Sequence, residues 1–432
     1  MSSKDKILVK GQLPLHGDLC VDGNKNAALP LIAASVLCEG KVVLKRIPLI
    51  GDVKTLCEIL VDMKADISTS EPETIIIDSS NLDPTRLNSN AWEEIRAAVL
   101  LVGPILNRFG KFEFPAPGGD GVGRRRLDSH LLAFKEMGAT IWVNEKGLFV
   151  VEAPPTGLRL SDVWLDETSV TATENILTTA ASLPGTTVLY NAACEPHVQD
   201  LANFLVQCGA MIEGIGTNRL TIHGTRQLKS VKEFHIGPDF VQTGAFIGIG
   251  LCTGSELRIR NAGIQHMRPI QIGLAKFGAA IQIQGDDIIV PAKQDLRIVE
   301  DTRQAIAKLD THPWPGFPSD MSSTAVVLAT QTEGAILIHE KMYESRLFFI
   351  DKLVRMGARI SLCDPHRAIV VGKTQLLGAK LESLDIRAGI ALITAGLCAK
   401  GETTIANAKQ VDRGFYRIEE RLRNIGAYVE RI

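Results

Sequence analysis

Five cations stand where a chain of α/β pieces would open its helices or join a strand to the next helix. They are Lys25 in GNKNAALP, Arg125 in GGDGVGRRRLDSH, Arg346 in YESRLFF, Arg387 in LDIRAGI and Arg413 in VDRGFYR. Helix N-termini attract anions, and guanidinium forks match carboxylates and phosphates bidentately. Neighbouring positions add Asn26, Arg96 in EEIRAAVL, Ser169 in ETSVTAT, Asp320 in FPSDMSS and Arg268 in QHMRP. One loop arginine is ordinary surface, but cations recurring at matching places suit a cleft for a highly anionic ligand. Other chemistries lack their residues. GGDGVG is followed by three arginines instead of a helix-opening G-x-x-G, and reads as a mobile lid or a wide turn. No G-x-x-x-x-G-K-[ST] occurs, the eight cysteines form no C-x-x-C, and the nine histidines do not cluster at ligand spacing. The reading calls for no metal and no cofactor.

The elements that must position these residues repeat. A helix end, a Gly-type turn and an apolar residue recur as MKADI, MGATI, CGAMI, FGAAI, MGARI and IGAYV, with the turn residue at 64, 138, 209, 278, 357 and 426. A second landmark, an Ala/Leu/Ile/Thr-rich helix running into a glycine and a β-rich stretch, falls at Gly40, Gly110, Gly185, Gly254, Gly334 and Gly401. Between them lie amphipathic stretches such as DVKTLCEILVDM and alternating pairs such as AIQIQGDDIIVPA. The unit is helix, strand, helix, strand, strand, present six times. The last copy ends one strand short at YVERI while Ile7–Val9 stands alone at the start, so the N-terminus should return to complete it. The expectation is an α/β protein of two similar three-repeat domains, 25–237 with the lid loop and 1–24 plus 238–432, joined by two hinge crossings that suit closure. With 47 Lys+Arg against 49 Asp+Glu, bulk electrostatic binding of nucleic acid or membrane is not expected. No apolar run approaches the roughly 20 residues of a bilayer span, and MSSKDKILVKG has no apolar signal core, which places the chain in the cytoplasm.

In order, GNKNAALPLIAASVL, PGGDGVGRRRLDSH, SVTATENIL, FPSDM, ESRLFF, DIRAG and VDRGFYRIEERL span nearly the whole chain. Together they resemble the UDP-N-acetylglucosamine 1-carboxyvinyltransferases, the enolpyruvyl transferases that open peptidoglycan precursor synthesis. The resemblance implies the two-domain inside-out α/β barrel, with phosphoenolpyruvate and UDP-N-acetylglucosamine as partners. Lys25 and Asn26 would then meet phosphoenolpyruvate, Asn26 also the nucleotide sugar, and Arg125, Arg346, Arg387 and Arg413 would clamp phosphate and carboxylate. Arg96, the run Arg125, Arg126, Leu127, Asp128 and Ser129, and Ser169, Val170 and Thr171 would face the UDP moiety. Asp320 would take the proton of the attacking hydroxyl, and Met342 would give a backbone contact to the sugar nucleotide. The catalytic set is Asp120, Asp320, Lys25 and Arg413.

The chain departs from the family pattern at several of these places. Asp120 occupies the lid position usual for cysteine, which implies insensitivity to the thiol-alkylating epoxide fosfomycin. As a general acid Asp120 would need its pKa raised from about 3.9 towards neutrality, about 4 kcal/mol of desolvation on lid closure. Arg126 replaces a common proline, Thr171 a frequent glycine and Phe240 a common basic residue; Asn24 precedes the lysine, and Trp314 is expected near Asp320. Two alternatives stay open: another acceptor, either a different nucleotide or shikimate 3-phosphate, and a non-catalytic sugar-nucleotide-binding paralogue.

Overall fold

The computed structural model describes residues 5–119, 123 and 126–432. Six central helices, Lys25–Ala34, Val102–Phe109, Val170–Ala181, Phe240–Thr253, Ser322–Gln331 and Ile386–Cys398, follow the six predicted apolar segments. A helix that is apolar on every side has to be enclosed. All thirteen residues of Ile386–Cys398 are buried, as are Phe240 through Cys252. The peripheral helices carry one apolar face instead: Pro196–Gln207 buries Pro196, His197, Val198, Leu201, Ala202, Phe204 and Leu205.

Each peripheral helix ends in the turn that the sequence repeats. The φ angles are +70° at Lys64, +93° at Gly138, +110° at Gly209, +68° at Gly278, +92° at Gly357 and +95° at Gly426. In five copies the amide after that residue reaches back five positions, as from Ala65 to the Leu60 carbonyl (2.8 Å) and from Ala427 to the Leu422 carbonyl (3.0 Å). That is the Schellman closure, whose left-handed residue is strained for anything but glycine. Lys64 is therefore the one copy that bears a side-chain penalty.

The chain divides into two compact units, each with its own apolar core. Of the described residues, one takes 5–22 and 238–432 with Gly123, the other 23–119 and 126–237. Lys6–Lys10 pairs antiparallel with Glu402–Ala406 and with Tyr428–Arg431, Ile7 opposite Ile405 and Val9 opposite Val429. This is the expected return of the N-terminus into the sixth repeat. Every repeat has a sheet of three antiparallel strands, and in five of them a fourth, parallel edge strand is present among the described residues. These edge strands are two to five residues long, so any alternation they carry, such as that of Ala307–Asp310, is too short for sequence to show. Two of them are exchanged at the crossings. His16–Cys20 precedes the first central helix yet pairs with Glu256–Arg260, and Phe234–His235 precedes the fourth yet pairs with Lys41–Lys45. The division falls between Asp22 and Gly23, two residues before the expected point. A side chain at Gly23 would run into the Arg46 carbonyl, 1.7 Å from an added Cβ, and the Asn24 amide donates to the Gly237 carbonyl at 2.8 Å.

Candidate active site

In the unit containing Pro238–Ile432, a carboxylate is held between two buried arginines. Arg346 comes from the turn after strand Gly334–His339, Arg387 from the first turn of Ile386–Cys398, and Asp320 from the short turn that opens Ser322–Gln331. Asp320 Oδ1 accepts from Arg346 Nη2 at 3.0 Å, and its Oδ2 accepts from Arg387 Nε (3.0 Å) and Nη2 (2.8 Å). The arginine side chains are 6% and 7% exposed against 27% for the carboxylate. Burial opposes the charge on each guanidinium, but the Asp320 carboxylate, helped by Asp385 at Arg346 and Asp239 at Arg387, holds both above the ordinary value. Asp385 caps its helix by accepting from the Arg387 and Ala388 amides and lies 3.8 Å from Arg346 Nη1. Asp239 caps Phe240–Thr253 in the same way; burial pushes its carboxyl up and Arg387 pulls it back. Arg413 ends the turn Lys409–Asp412 and donates to Gln410 Oε1 at 2.9 Å.

Among the described residues, Arg346 Nε at this cluster and the hydroxyls of Ser319, Ser322 and Ser323, next to Asp320 in the chain, are buried with no hydrogen-bond partner, as is the carboxylate oxygen Glu340 Oε2. Buried polar groups are nearly always bonded, because an unmade hydrogen bond costs about 1–3 kcal/mol. A guanidinium Nε without a partner, beside a second buried arginine, is a group able to donate to an anion.

In the unit containing Gly23–Gly237, Lys25 is the first residue of its helix, capped by Asn24, whose side chain accepts from the Asn26 amide. Lys25 Nζ meets Asp52 Oδ2 at 2.7 Å, with side chains only 9% and 7% exposed. At the start of Val170–Ala181, Ser169 is the cap and accepts from the Ala172 amide. Around it, Arg126 Nε pairs with Asp128 Oδ2 (3.0 Å) and Ser129 Oγ donates to Asp166 Oδ1 (2.6 Å). Arg96 Nη2 donates to the Arg126 carbonyl at 2.7 Å.

A family model for EPSP synthase (3-phosphoshikimate 1-carboxyvinyltransferase) matches residues 9–422. The UDP-N-acetylglucosamine 1-carboxyvinyltransferase of Bradyrhizobium diazoefficiens is 48% identical over 425 residues, covering 98% of this chain and 97% of that protein. The protein of that name from Treponema denticola is 43% identical over 423 residues, 98% of each chain. The chain belongs to the enolpyruvyl transferases, and among them to the UDP-N-acetylglucosamine 1-carboxyvinyltransferase family. The fold agrees: the enolpyruvyl transferase NikO from Streptomyces tendae superposes with a TM-score of 0.87 at 24% identity over 98% of each chain. EPSP synthase from Acinetobacter baumannii does so at 0.72 and 18% identity.

Within this family frame, the structure brings Asp320, Arg346 and Arg387 together and sets Lys25 and Asn26, and Ser169, Val170 and Thr171, at two helix starts. Leu127 is half-buried ahead of helix Asp128–Glu136. The Met342 amide donates to Glu340 Oε1 at 2.8 Å. Asp120 and Arg125 lie outside the described residues. Phe240 is buried and packs on Trp314, ring centroids 5.3 Å apart, with His266 against both. An aromatic trio thus fills the position where a basic residue was the family expectation, and Trp314 is part of it. Sequence reasoning passed over Asp52, Asp239, Asp385 and Asp166. The signal for two of them was present: Asp239 and Asp385 stand one residue before central helices, the preferred place of a capping carboxylate. Among the described residues no group of three or more His, Cys, Asp or Glu could hold a metal ion. No helix there is long and apolar enough to cross a membrane.

Proposed function

We propose that the chain transfers the enolpyruvyl group of phosphoenolpyruvate to the 3'-hydroxyl of UDP-N-acetylglucosamine, releasing phosphate, the entry step of peptidoglycan synthesis. The observation that carries this reading is Asp320 gripped by Arg346 and Arg387, with Arg346 Nε left without a partner, in a chain whose relatives carry that activity's name end to end. The hydroxyl oxygen attacks C2 while C3 accepts a proton. The resulting tetrahedral ketal then expels phosphate as C3 gives a proton back, which restores the double bond.

Arg346, Arg387 and Arg413, with Arg125, hold the carboxylate and phosphate and offset the charge that develops on them. Lys25 and Asn26 bind the same donor. Asp320 is the base for the 3'-hydroxyl. A carboxylate accepting three guanidinium N–H groups is a weak base, but anions arriving at Arg346 and Arg387 compete for those donors and free a carboxylate oxygen. Asp120 is the acid at C3. Arg96, Arg126, Leu127, Asp128, Ser129, Ser169, Val170 and Thr171 hold the UDP part, and Met342 the sugar nucleotide. The chain works in the cytoplasm, in keeping with eight free cysteines, two of them exposed. Phosphate release measured with UDP-N-acetylglucosamine, UMP and shikimate 3-phosphate as acceptors tests the assignment. Turnover with the first alone is expected; preference for either of the others would overturn it.

A further inference from the structure

Glu340 follows strand Gly334–His339 and has no exposed surface. Its Oε1 accepts from the Met342 amide at 2.8 Å and from the Tyr343 amide at 3.3 Å, which folds the chain back over the side chain. The Glu340 backbone is pinned as well: its amide donates to the His366 carbonyl at 2.8 Å, and its carbonyl accepts from His366 Nδ1 at 2.7 Å. The Lys341 amide adds a further tie, donating to Thr311 Oγ1 at 2.9 Å. The carboxylate is thus held in place, yet its Oε2 is buried with no hydrogen-bond partner, and among the described residues it makes no ion pair.

The same turn carries Arg346. The Arg346 amide donates to the Tyr343 carbonyl at 3.3 Å, and its guanidinium lies over the Tyr343 ring, 5.1 Å from the centroid. Nη2 is engaged by Asp320 at 3.0 Å and Nη1 faces Asp385 at 3.8 Å, but Nε is buried and unbonded. Burial opposes the Arg346 charge, while Asp320, Asp385, Tyr343 and then Glu340 support it, so the Glu340 carboxylate is close enough to act on it. One turn therefore holds an unbonded donor on a cation and an unbonded acceptor on an anion, and buried polar groups are seldom left in that state. Asp320 is a poor base while three guanidinium N–H groups hold it, and a buried guanidinium that lets go of one carboxylate needs another. We infer that Glu340 is the positioning residue of Arg346: it fixes the turn that carries the arginine, and its Oε2 receives Arg346 Nε when Arg346 releases Asp320 to take the hydroxyl proton. This rests on the proposed activity and deepens it. Arg346 keeps a carboxylate partner in both positions, and the exchange leaves Asp320 Oδ1 free, since Arg387 bonds only Oδ2.

Two substitutions test the exchange. Asp320→Asn weakens the present grip; in its crystal structure, solved without substrate, Arg346 Nε should stand about 3 Å from Glu340 Oε2. When Asp320→Asn is combined with Glu340→Gln, Nε should stay unbonded. Glu340→Gln alone keeps an oxygen for the Met342 and Tyr343 amides and removes the charge. Its kcat should fall about tenfold or more, the scale of a hydrogen bond between charged groups, while KM for phosphoenolpyruvate changes by no more than about twofold. A glutamate that merely supports the fold would lower kcat and raise KM together. Arg346 Nε still unbonded in Asp320→Asn, a Glu340→Gln variant that turns over like the parent, or a loss carried equally by KM would overturn the inference. A parent chain without turnover would overturn the activity reading, and the Asp320→Asn structure would still decide whether Glu340 receives the arginine.

Discussion

Replacing Asp52 by Asn isolates what the buried pair does for Lys25. At 2.7 Å, with both side chains more than nine-tenths enclosed, the Coulomb attraction is about 6 kcal/mol at an effective dielectric constant of about 20. Desolvation of both charges offsets most of that, so the pair itself adds little net stability. Removing one partner is different, because the ammonium is left buried and uncompensated, a loss of about 3–5 kcal/mol. For a folded body of 150–250 residues this corresponds to about 10 °C in the melting transition. Scanning calorimetry should show the transition of the unit carrying Lys25 falling by that amount in Asp52→Asn. Misplacement of the ammonium should also lower kcat/KM for phosphoenolpyruvate about 100-fold. Lys25→Met combined with Asp52→Leu should recover most of the melting temperature, since an apolar pair of similar volume carries no desolvation cost, yet stay inactive. An Asp52→Asn variant that melts and turns over like the parent would refute the reasoning. So would a double variant as unstable as the single one.

Three further outcomes are expected. Burial pushes Asp200 up to about 6, although the Gly237 amide donates to it. With the folded value above the unfolded one, the stabilising protonated form is complete below about pH 4 and lost as pH rises through 6. Asp200→Asn should accordingly gain up to about 3 kcal/mol over the parent at pH 7.5 and nothing at pH 4 in urea titrations, and an equal gap at both would contradict this. Lys64→Gly should stabilise its unit by about 1 kcal/mol by relieving the left-handed turn; the Lys64 ion pair, 3.9 Å to the Asp83 carboxylate, is exposed and contributes little. Asp120→Cys should convert a fosfomycin-insensitive enzyme into one inactivated irreversibly, seen as a covalent mass increase, and should move the high-pH limb of activity. An unchanged pH profile would argue against Asp120 as the acid.

The repeats were legible because each carries two backbone demands, a left-handed turn after the peripheral helix and a glycine after the central one. Phe240–Thr253 and Ile386–Cys398 were legible because their apolar residues leave almost no polar face, whereas Val170–Ala181 is enclosed with Thr173, Glu174 and Asn175 among its buried residues. The return of Lys6–Lys10 could be inferred from a strand missing at one end and spare at the other. By contrast, Phe234–His235 and His16–Cys20 are short, and their exchange between sheets depends on partners 190 and 240 residues away. The arginines announced themselves by type and place. The carboxylates around the site did not, because Asp52, Asp166 and Asp385 acquire meaning only from the neighbours that folding brings, Lys25 at 2.7 Å, Ser129 at 2.6 Å and Arg346 at 3.8 Å. Thr171 looked like a lost glycine, and the contacts of His130 with Asn175 and with the Thr171 hydroxyl, each 3.0 Å, are made only by folding.

The central claim is transfer to the 3'-hydroxyl by addition and elimination, and one experiment addresses it directly. Phosphoenolpyruvate and UDP-N-acetylglucosamine are incubated with the protein in deuterium oxide, with mass spectrometry of the sugar nucleotide and assay of phosphate. A proton taken up at C3 and given back from the methyl group of the ketal must leave deuterium in the vinyl group. The account predicts one enolpyruvyl ether per phosphate, deuterium at C3, and no product from the 3'-deoxy acceptor. Phosphate released without an ether, or an ether free of deuterium, would contradict it.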